Sequence, residues 1–519
     1  MTSYDQVPYE SIAFVEVHPD RLAVVATLFG MAPPPVAQAR VLELGCASGG
    51  NLIPMAVAVP EGRFVGIDLS ARQVAEGRRI VEHLGLKNIE LEARSIADLD
   101  AGLGPFDYIL CHGVYSWVPE PVRAQILSVC ARHLAPDGIA LVSYNTYPGW
   151  HFREAVRKMM LYRVRGLAEP IERARVARDF LETLVAIAPD PYSPYARALA
   201  DELGRIRPHS LSYLLHEHLE ADNQPVYYHE FVAQAAAHGL KPLGDARFDT
   251  MIPYQPPAIR ANLERLCPDP ADRDQYLDFL YNRAFRRTLL CRASVPLAAE
   301  PDPMRLSGLR VAGALRPEAA PIDPTSREVL SFRGAEPGQN LSTADPWLKT
   351  ALVLLLEHWP HSIHFPELLD RVGDRLGHSG PLSGSEDMAR PLATSLLACA
   401  AAQMVSLRTC DPPLTRSPGE HPTASPYVRL QAETGAHPTN LLHRHVSLSD
   451  FDRLVLRLLD GRRDRATLLD ELVQAVVSGS FTIQQDGRPL RDEATIRPLL
   501  ARSIEPSLNR LAHQALLLA

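Results

Sequence analysis

Between residues 41 and 147, short apolar runs alternate with amphipathic stretches. VLEL from Val41, FVGID from Phe64, IELEA from Ile89, FDYILCHGVY from Phe106 and GIALVSYN from Gly138 read as strands. The stretches after Asn51, from Ala71 to Leu84 and from Pro121 to Leu134 read as helices. This alternation predicts parallel strands joined by right-handed crossovers, with ligands at the carboxyl ends of the strands. The informative positions are therefore those just after each run: Gly45 to Asn51, Asp68 to Ser70, Ser95 to Ile96, His112 to Trp117 and Tyr144 to His151.

Outside this unit the pattern changes. In residues 1–40, Asp20 is expected to N-cap a helix through Leu22, Val25 and Leu28, which Pro33, Pro34 and Pro35 then stop. Residues 151–210 carry apolar side chains at helical spacing. Residues 211–293 form a mixed unit. SYLLHEHLE and YYHEFVAQAAAHGL read as amphipathic helices, and DRDQYLDFLYNRAFRRTLLC reads as a closing helix. That helix would carry Arg283, Arg286 and Arg287 on a solvated or carboxylate-paired face. Residues 294–346, rich in Pro, Ala and Gly, read as linker with short strands. Residues 347–519 are mostly helical, and FTIQQDGRPL reads as a β-wing, which gives a winged-helix-like module.

The first turn, VLELGCASGGN, carries the first chemistry. A dinucleotide site wants G-x-G-x-x-G, with its middle glycine letting backbone approach a pyrophosphate. Here those positions are Gly45, Ala47 and Gly50, and the Ala47 Cβ stands where the approach is needed. Glu43 before the turn and Asp68 ending the next strand make the pattern E-x-G-x-x-x-G plus acid, which points to S-adenosylmethionine. A nucleotide-free turn and a dinucleotide site remain open on these residues alone. For the methyl donor, the backbone of Gly45, Cys46, Ala47 and Gly49 forms the cradle. The helix start near Asn51 receives a carboxylate. Asp68 accepts from the ribose, with Gln73 alongside, and Leu69 and Ile96 sandwich the adenine beside the Ser95 hydroxyl. Glu43 orients the donor. Tyr4 and Tyr9 belong to a segment that reads either as a surface helix packed on the fold or as a lid over the cofactor.

The loops after the fourth and fifth strands supply acceptor-side candidates. Tyr115 and Trp117 offer ring faces to a cationic amine or the sulfonium, and Asn145 is expected in the same pocket. His112 is a candidate base and a donor contact, or equally a core histidine. Tyr9 completes the set from the N-terminal segment.

Composition narrows the partners. A net charge of −8 over 519 residues provides no broad field for nucleic acid. The seven cysteines form no C-x-x-C pair, so neither a metal site nor a disulfide framework is expected, and reduced thiols in a cytoplasm are the simplest account. The N-terminal residues lack a signal-peptide core, and apolar runs such as Leu352 to Leu356 are too short to span a membrane.

Together, YDQVPYES, HPDRLA, VLELGCASGGNLIPMA, CHGVYSWVP and YNTYPGWHFRE resemble class I S-adenosylmethionine-dependent methyltransferases that carry a methyltransferase regulatory domain. The group includes rickettsial-type lysine methyltransferases acting on outer-membrane proteins. The resemblance is detailed over residues 4 to about 163, extends through 211–293, and is one of layout only beyond. It implies an α/β fold: a Rossmann-like class I methyltransferase sheet, helical middle and regulatory domains, and a C-terminal winged-helix-like module. The implied order is an N-terminal lid segment (1–40), the donor domain (41–150), a helical dimerisation or cap segment (151–210), the regulatory domain (211–293), a linker (294–346) and the C-terminal module (347–519). It further implies a donor site at Glu43, Gly45 and Asp68. The expected activity is methyl transfer to a lysine Nε of a protein, possible partners being an acceptor destined for export and a second copy of the chain. The alternatives are a peptide or small-molecule acceptor, and a donor-binding regulator without turnover.

Overall fold

The computed structural model describes residues 6–99, 102–318, 323, 325–334, 338–435, 437–485 and 488–519. The alternating region forms β1 (Arg40–Leu44), β2 (Arg63–Asp68), β3 (Ile89–Ala93), β4 (Phe106–Cys111) and β5 (Leu134–Asn145). Helices α1 (Pro19–Leu28), α2 (Leu52–Ala58), α3 (Ala71–His83) and α4 (Glu120–His133) flank them. Then come α5 (Trp150–Arg163), α6 (Pro170–Ala186), α7 (Pro194–Ile206), α8 (Leu211–His218), α9 (Tyr228–Ala237), β6 (Leu240–Asp245), α10 (Pro257–Leu266), α11 (Arg273–Tyr281) and β7 (Phe285–Arg292). The main sheet has the order β3-β2-β1-β4-β5-β7-β6. β1 to β5 pair in parallel, and β7 runs antiparallel to both β5 and β6. Strand order reverses between β1 and β4, so a crevice opens at their carboxyl ends. Glu43, opposite Gly66 of β2 and Leu110 of β4, stands beside it.

Two expectations are corrected. The closing helix of the 211–293 unit is half helix and half strand. α11 stops at Asn282, whose left-handed φ of 47° forms the helix cap. The chain then becomes β7, which pairs with β5 in the register Thr288 to Val142 and Leu290 to Ala140. TLLC is apolar on both faces because both faces of the sheet are covered there, and such a short run has no period that separates helix from strand. Arg286 is therefore not on a solvated face. It is 2% exposed, and its guanidinium grips Asp278 with Nε on Oδ2 (2.7 Å) and Nη2 on Oδ1 (2.8 Å). Arg283 Nε lies 3.1 Å from the same carboxylate. Asp20, the second correction, does not cap α1. His18 does, its Nδ1 accepting from the Asp20 N–H (3.2 Å). The Asp20 carboxylate instead accepts from the backbone N–H of Thr409 (2.8 Å) and from its hydroxyl.

The accessory parts attach to both faces and one end of the sheet. One face packs α1 against the stretch that holds β8 (Arg310–Ala312), α12 (Pro346–His358), β12 (Ile363–His364), α13 (Phe365–Arg375), α14 (Glu386–Ala401) and β13 (Ser406–Arg408). Within it β8 lies between β12 and β13, while β9 (Arg316–Pro317), β10 (Leu330–Arg333) and β11 (Asn340–Thr343) form a small antiparallel sheet. The other face buries Leu42, Ile67, Ile109 and Val142 against α4 and α9. Helices α5 to α8 share a core of their own. Helices α15 (Pro426–Thr434), α16 (Asp450–Leu458), α17 (Arg465–Ser478) and α18 (Glu493–His513) build a fourth. The expected wing is present as β14 (Gln484–Gln485) paired with β15 (Arg488–Pro489). Among the described residues no helix is long and apolar enough to cross a membrane.

Asp278→Ala is expected to lower folding stability by about 3–5 kcal/mol, because it strands two buried arginine charges. Denaturant unfolding followed by circular dichroism checks this, and a loss below about 1 kcal/mol contradicts it.

Candidate functional site

After Leu44 the chain turns over the end of β2. The Gly45 and Cys46 N–H groups both donate to the Ile67 carbonyl, at 2.7 and 3.1 Å. Gly45 has φ +80°, and a Cβ there would sit 2.3 Å from Val114 Cγ2 in the loop after β4. Dihedral and crowding both demand glycine. Gly49 also has positive φ. Ala47 holds a positive φ of 50° despite its side chain, and its N–H donates to Asp68 Oδ2 (2.8 Å). The Ser70 N–H donates to Asp68 Oδ1 (2.8 Å). Asp68 thus clasps the turn to the end of β2. Next to it Leu69 is 64% exposed, an apolar side chain left without cover. Ile96 is half-buried nearby in sequence, with Ser95 Oγ accepting from the Ala97 N–H (3.2 Å).

Glu43 is 4% exposed at the end of β1. Asn51 Nδ2 donates to its Oε1 (2.8 Å), while Oε2 is buried with no partner among the described residues. Burial pushes the Glu43 carboxyl up to about 7; the Asn51 hydrogen bond lowers it and Asp68 raises it further. The Asn51 side chain spends its other end on distant parts of the chain. Its Oδ1 accepts from the Phe14 N–H (3.1 Å) and from His443 Nε2 (2.8 Å), a residue from the C-terminal part of the chain. His443 is buried and held neutral by that burial, so Nε2 carries the proton. One amide therefore joins the acid of the donor turn, the N-terminal segment and a residue 392 positions away.

At the helix start the Asn51 side chain is committed to these contacts. Asn51 faces Glu43 and His443, and it makes no side-chain cap on α2. The Gly50 N–H is taken by Ser11 Oγ (2.8 Å), and a Cβ on Gly50 would lie 2.1 Å from the Ser11 carbonyl. Gln73, 2% exposed, donates from Nε2 to the Tyr9 carbonyl (3.1 Å). Residues 7–14 thus lie across the turn, fixed by Gln73, Ser11 and Asn51 on one side. On the other side α8 contributes His216 Nε2 to the Val7 carbonyl (2.8 Å) and Ser212 Oγ to the Pro8 carbonyl (3.0 Å). His445 Nε2 reaches the Ala13 carbonyl (3.1 Å). The expected lid is accordingly a strap held by other parts of the chain. Tyr4 lies outside the described residues.

On the acceptor side the structure separates the candidates. Tyr115 has no exposed surface. It packs on Phe231 (5.4 Å between rings) and places its hydroxyl 2.5 Å from Gln234, so it is a core side chain and offers no ring face to an acceptor. Asn145 is buried on Asn223, with Nδ2 3.1 Å from Oδ1. His112 leans on Phe14 (4.5 Å) and Phe285 (6.0 Å), with Nδ1 buried and unpartnered. Burial, then Arg287, lowers it to about 3, which leaves it neutral and a poor base at physiological pH. Trp117 stays half-buried and meets Trp150 edge to face at 6.3 Å. Tyr9 turns its ring toward His216 (5.7 Å). Ser11, Phe14 and His443 were not among the candidates. Ser11 sits in the YDQVPYES motif, whereas no local pattern marks His443.

The arrangement fits a class I methyl donor: an unpartnered buried carboxylate oxygen on Glu43, a turn closed to any Cβ at Gly45, and exposed Leu69 beside Asp68. The chain matches models of a methyltransferase domain over residues 41–138, a predicted methyltransferase regulatory domain over 210–292, and the C-terminal winged helix domain of PKMT over 420–516. It is 33% identical to an uncharacterized protein of Rickettsia prowazekii over 99% of this chain and 93% of that one. A second uncharacterized protein of that organism is 38% identical over 46% of this chain and 96% of its own length. PKMT2 from Rickettsia typhi in complex with AdoHcy superposes with a TM-score of 0.87 at 29% identity, covering 99% of this chain and 100% of that one.

A cationic ligand facing Glu43 favours its carboxylate form, so binding expels a proton near neutrality. Affinity for S-adenosylmethionine is expected to rise from pH about 6 to about 8, and Glu43→Gln to flatten the slope. Titration calorimetry in buffers of different ionisation enthalpy reads this, and equal affinity at both pH values contradicts it. His443→Ala removes a buried hydrogen bond from Asn51. It is expected to weaken S-adenosylhomocysteine binding about fivefold, or ~1 kcal/mol. An unchanged dissociation constant overturns that link.

Proposed function

We propose, from the premise that this chain belongs to the family of class I S-adenosylmethionine-dependent methyltransferases with a methyltransferase regulatory domain and a PKMT C-terminal winged-helix domain, that its acceptor is the Nε of lysine on a protein. One observation carries this reading. The likeness to PKMT2 runs over 99% of the chain, through the regulatory and winged-helix parts, and is not confined to the donor domain. Those accessory parts hold the strap over the donor turn, and they provide surface for an acceptor larger than a metabolite.

S-adenosylmethionine, when bound, supplies a methyl group already activated on a cationic sulfur. The chain has to hold it, exclude water and admit a neutral amine in line. Glu43, the turn from Gly45 to Gly49, and Asp68 with Leu69 are the residues that would hold it. The strap of residues 7–14 covers the same turn and keeps solvent from one side. No general base is assigned. His112 is neutral and only weakly basic, which gives it no support as that base.

Incubation of bacterial lysate with methyl-labelled donor, followed by peptide mass spectrometry, is expected to place label on lysine side chains. Label confined to the small-molecule fraction would favour a metabolite acceptor. Donor binding with no transfer in any fraction would favour a regulator without turnover. Either result overturns the lysine reading.

A further inference from the structure

A cavity of about 330 Å³ lies between the start of α5, the end of α7 and α8. Its lining includes Trp150, Arg153, Glu202, Tyr213, Glu217 and His218. Charge pairing inside it is lopsided. Glu202 takes two arginines, with Arg205 at 2.8 Å and Arg153 at 3.6 Å. Glu217 takes none, and among the described residues its carboxylate makes no hydrogen bond or ion pair. Two polar groups on the wall, each on a residue at least nine-tenths buried, lack hydrogen-bond partners among the described residues: the Trp150 Nε1–H and His218 Nδ1. Buried polar groups without partners cost free energy, so a lining that keeps two of them beside the half-buried, unpaired Glu217 carboxylate is one that a ligand completes.

We propose that this cavity seats the acceptor as a polypeptide segment, with the ammonium of a lysine side chain on Glu217 between the rings of Trp150 and Tyr213, and a backbone carbonyl on the Trp150 N–H. The proposal rests on the lysine reading above and names the residues that would select for it. Tyr9 connects the cavity to the donor turn. Its carbonyl is held by Gln73 beside Asp68, while its hydroxyl feels Glu217 and Tyr213. Burial pushes Glu217 up to about 7, against the pull of Arg153 and His216, so a cation arriving there restores the carboxylate. Trp150 also meets Trp117 from the loop after β4, which puts the cavity's aromatic wall in contact with the loop that follows the donor strands. A neutral side chain of the same length gains no ion pair from Glu217.

The full chain, with saturating S-adenosylhomocysteine, is titrated with Nα-acetyl-L-lysine methylamide and with its norleucine counterpart by ligand-observed NMR. The lysine compound is expected to bind about tenfold tighter, and Glu217→Gln to erase that preference. Each variant is first shown to bind S-adenosylhomocysteine, so a misfolded protein is not mistaken for a lost site. Glu217→Asp keeps the charge and is expected to keep the preference. Equal binding of the two compounds, or an undiminished preference in Glu217→Gln, overturns the proposal. Labelled-donor assays on poly-L-lysine separate it from the underlying reading. Transfer to lysine with KM unchanged in Glu217→Gln overturns the cavity and leaves lysine transfer standing. Glu217-dependent binding with no transfer to any lysine does the reverse.

Discussion

A carboxylate buried at the end of a strand must be answered by a polar partner, and in this chain the partner is Asn51. Its amide donates to Glu43 and accepts from Phe14 and His443. Removing water from Glu43 raises the cost of its charge, and the single hydrogen bond from Asn51 returns only part of it. The remaining oxygen is therefore primed for a cation. The same amide binds the donor turn to the N-terminal strap and to the C-terminal part of the chain. Packing of the accessory regions and order at the donor turn become one problem.

The remaining architecture follows from how the sheet is finished. β7 enters between β5 and β6 in antiparallel sense, so the 211–293 region completes the sheet as well as packing beside it. Its arginines come inside with it, and Asp278 is what makes their burial tolerable. α8, from the same region, holds the outer side of the strap through His216 and Ser212. Regulatory region, strap and turn are thus mechanically continuous, through hydrogen bonds to backbone carbonyls that any sequence at those positions would present.

Aromatic density alone proved a poor guide to the acceptor side. Tyr115, with its neighbours in CHGVYSWVP, serves the core between β4, β5 and α9, whereas Trp150 faces a cavity with its N–H unspent. What distinguishes the two is not residue type but whether the polar atom has a partner. Glu217 and Glu202 make the same point with charge: fifteen residues apart on consecutive helices, one is doubly paired and the other has no hydrogen bond or ion pair among the described residues.

The parallel strands, the donor turn and its two acids were legible in residues 41–147, and so was the winged-helix layout near the C-terminus. These features rest on local rules. Alternation of two or 3.6 residues and a positive φ at Gly45 act within a few positions of one another, and the acid ending the next strand is met one strand–helix–strand unit later, at 21 residues from Ala47. β7 was missed because TLLC is apolar on both sides and carries no period. His443, Ser11 and Glu217 were missed because their meaning depends on who stands opposite, across separations such as the 392 residues between Asn51 and His443. Side-chain chemistry is written in the sequence, but desolvation and pairing belong to the packed interior. By itself the sequence determined that this chain builds a methyl-donor turn. Only the tertiary structure decided which acids are left unpaired and what holds the turn closed, because burial and partnership exist only once distant elements pack together.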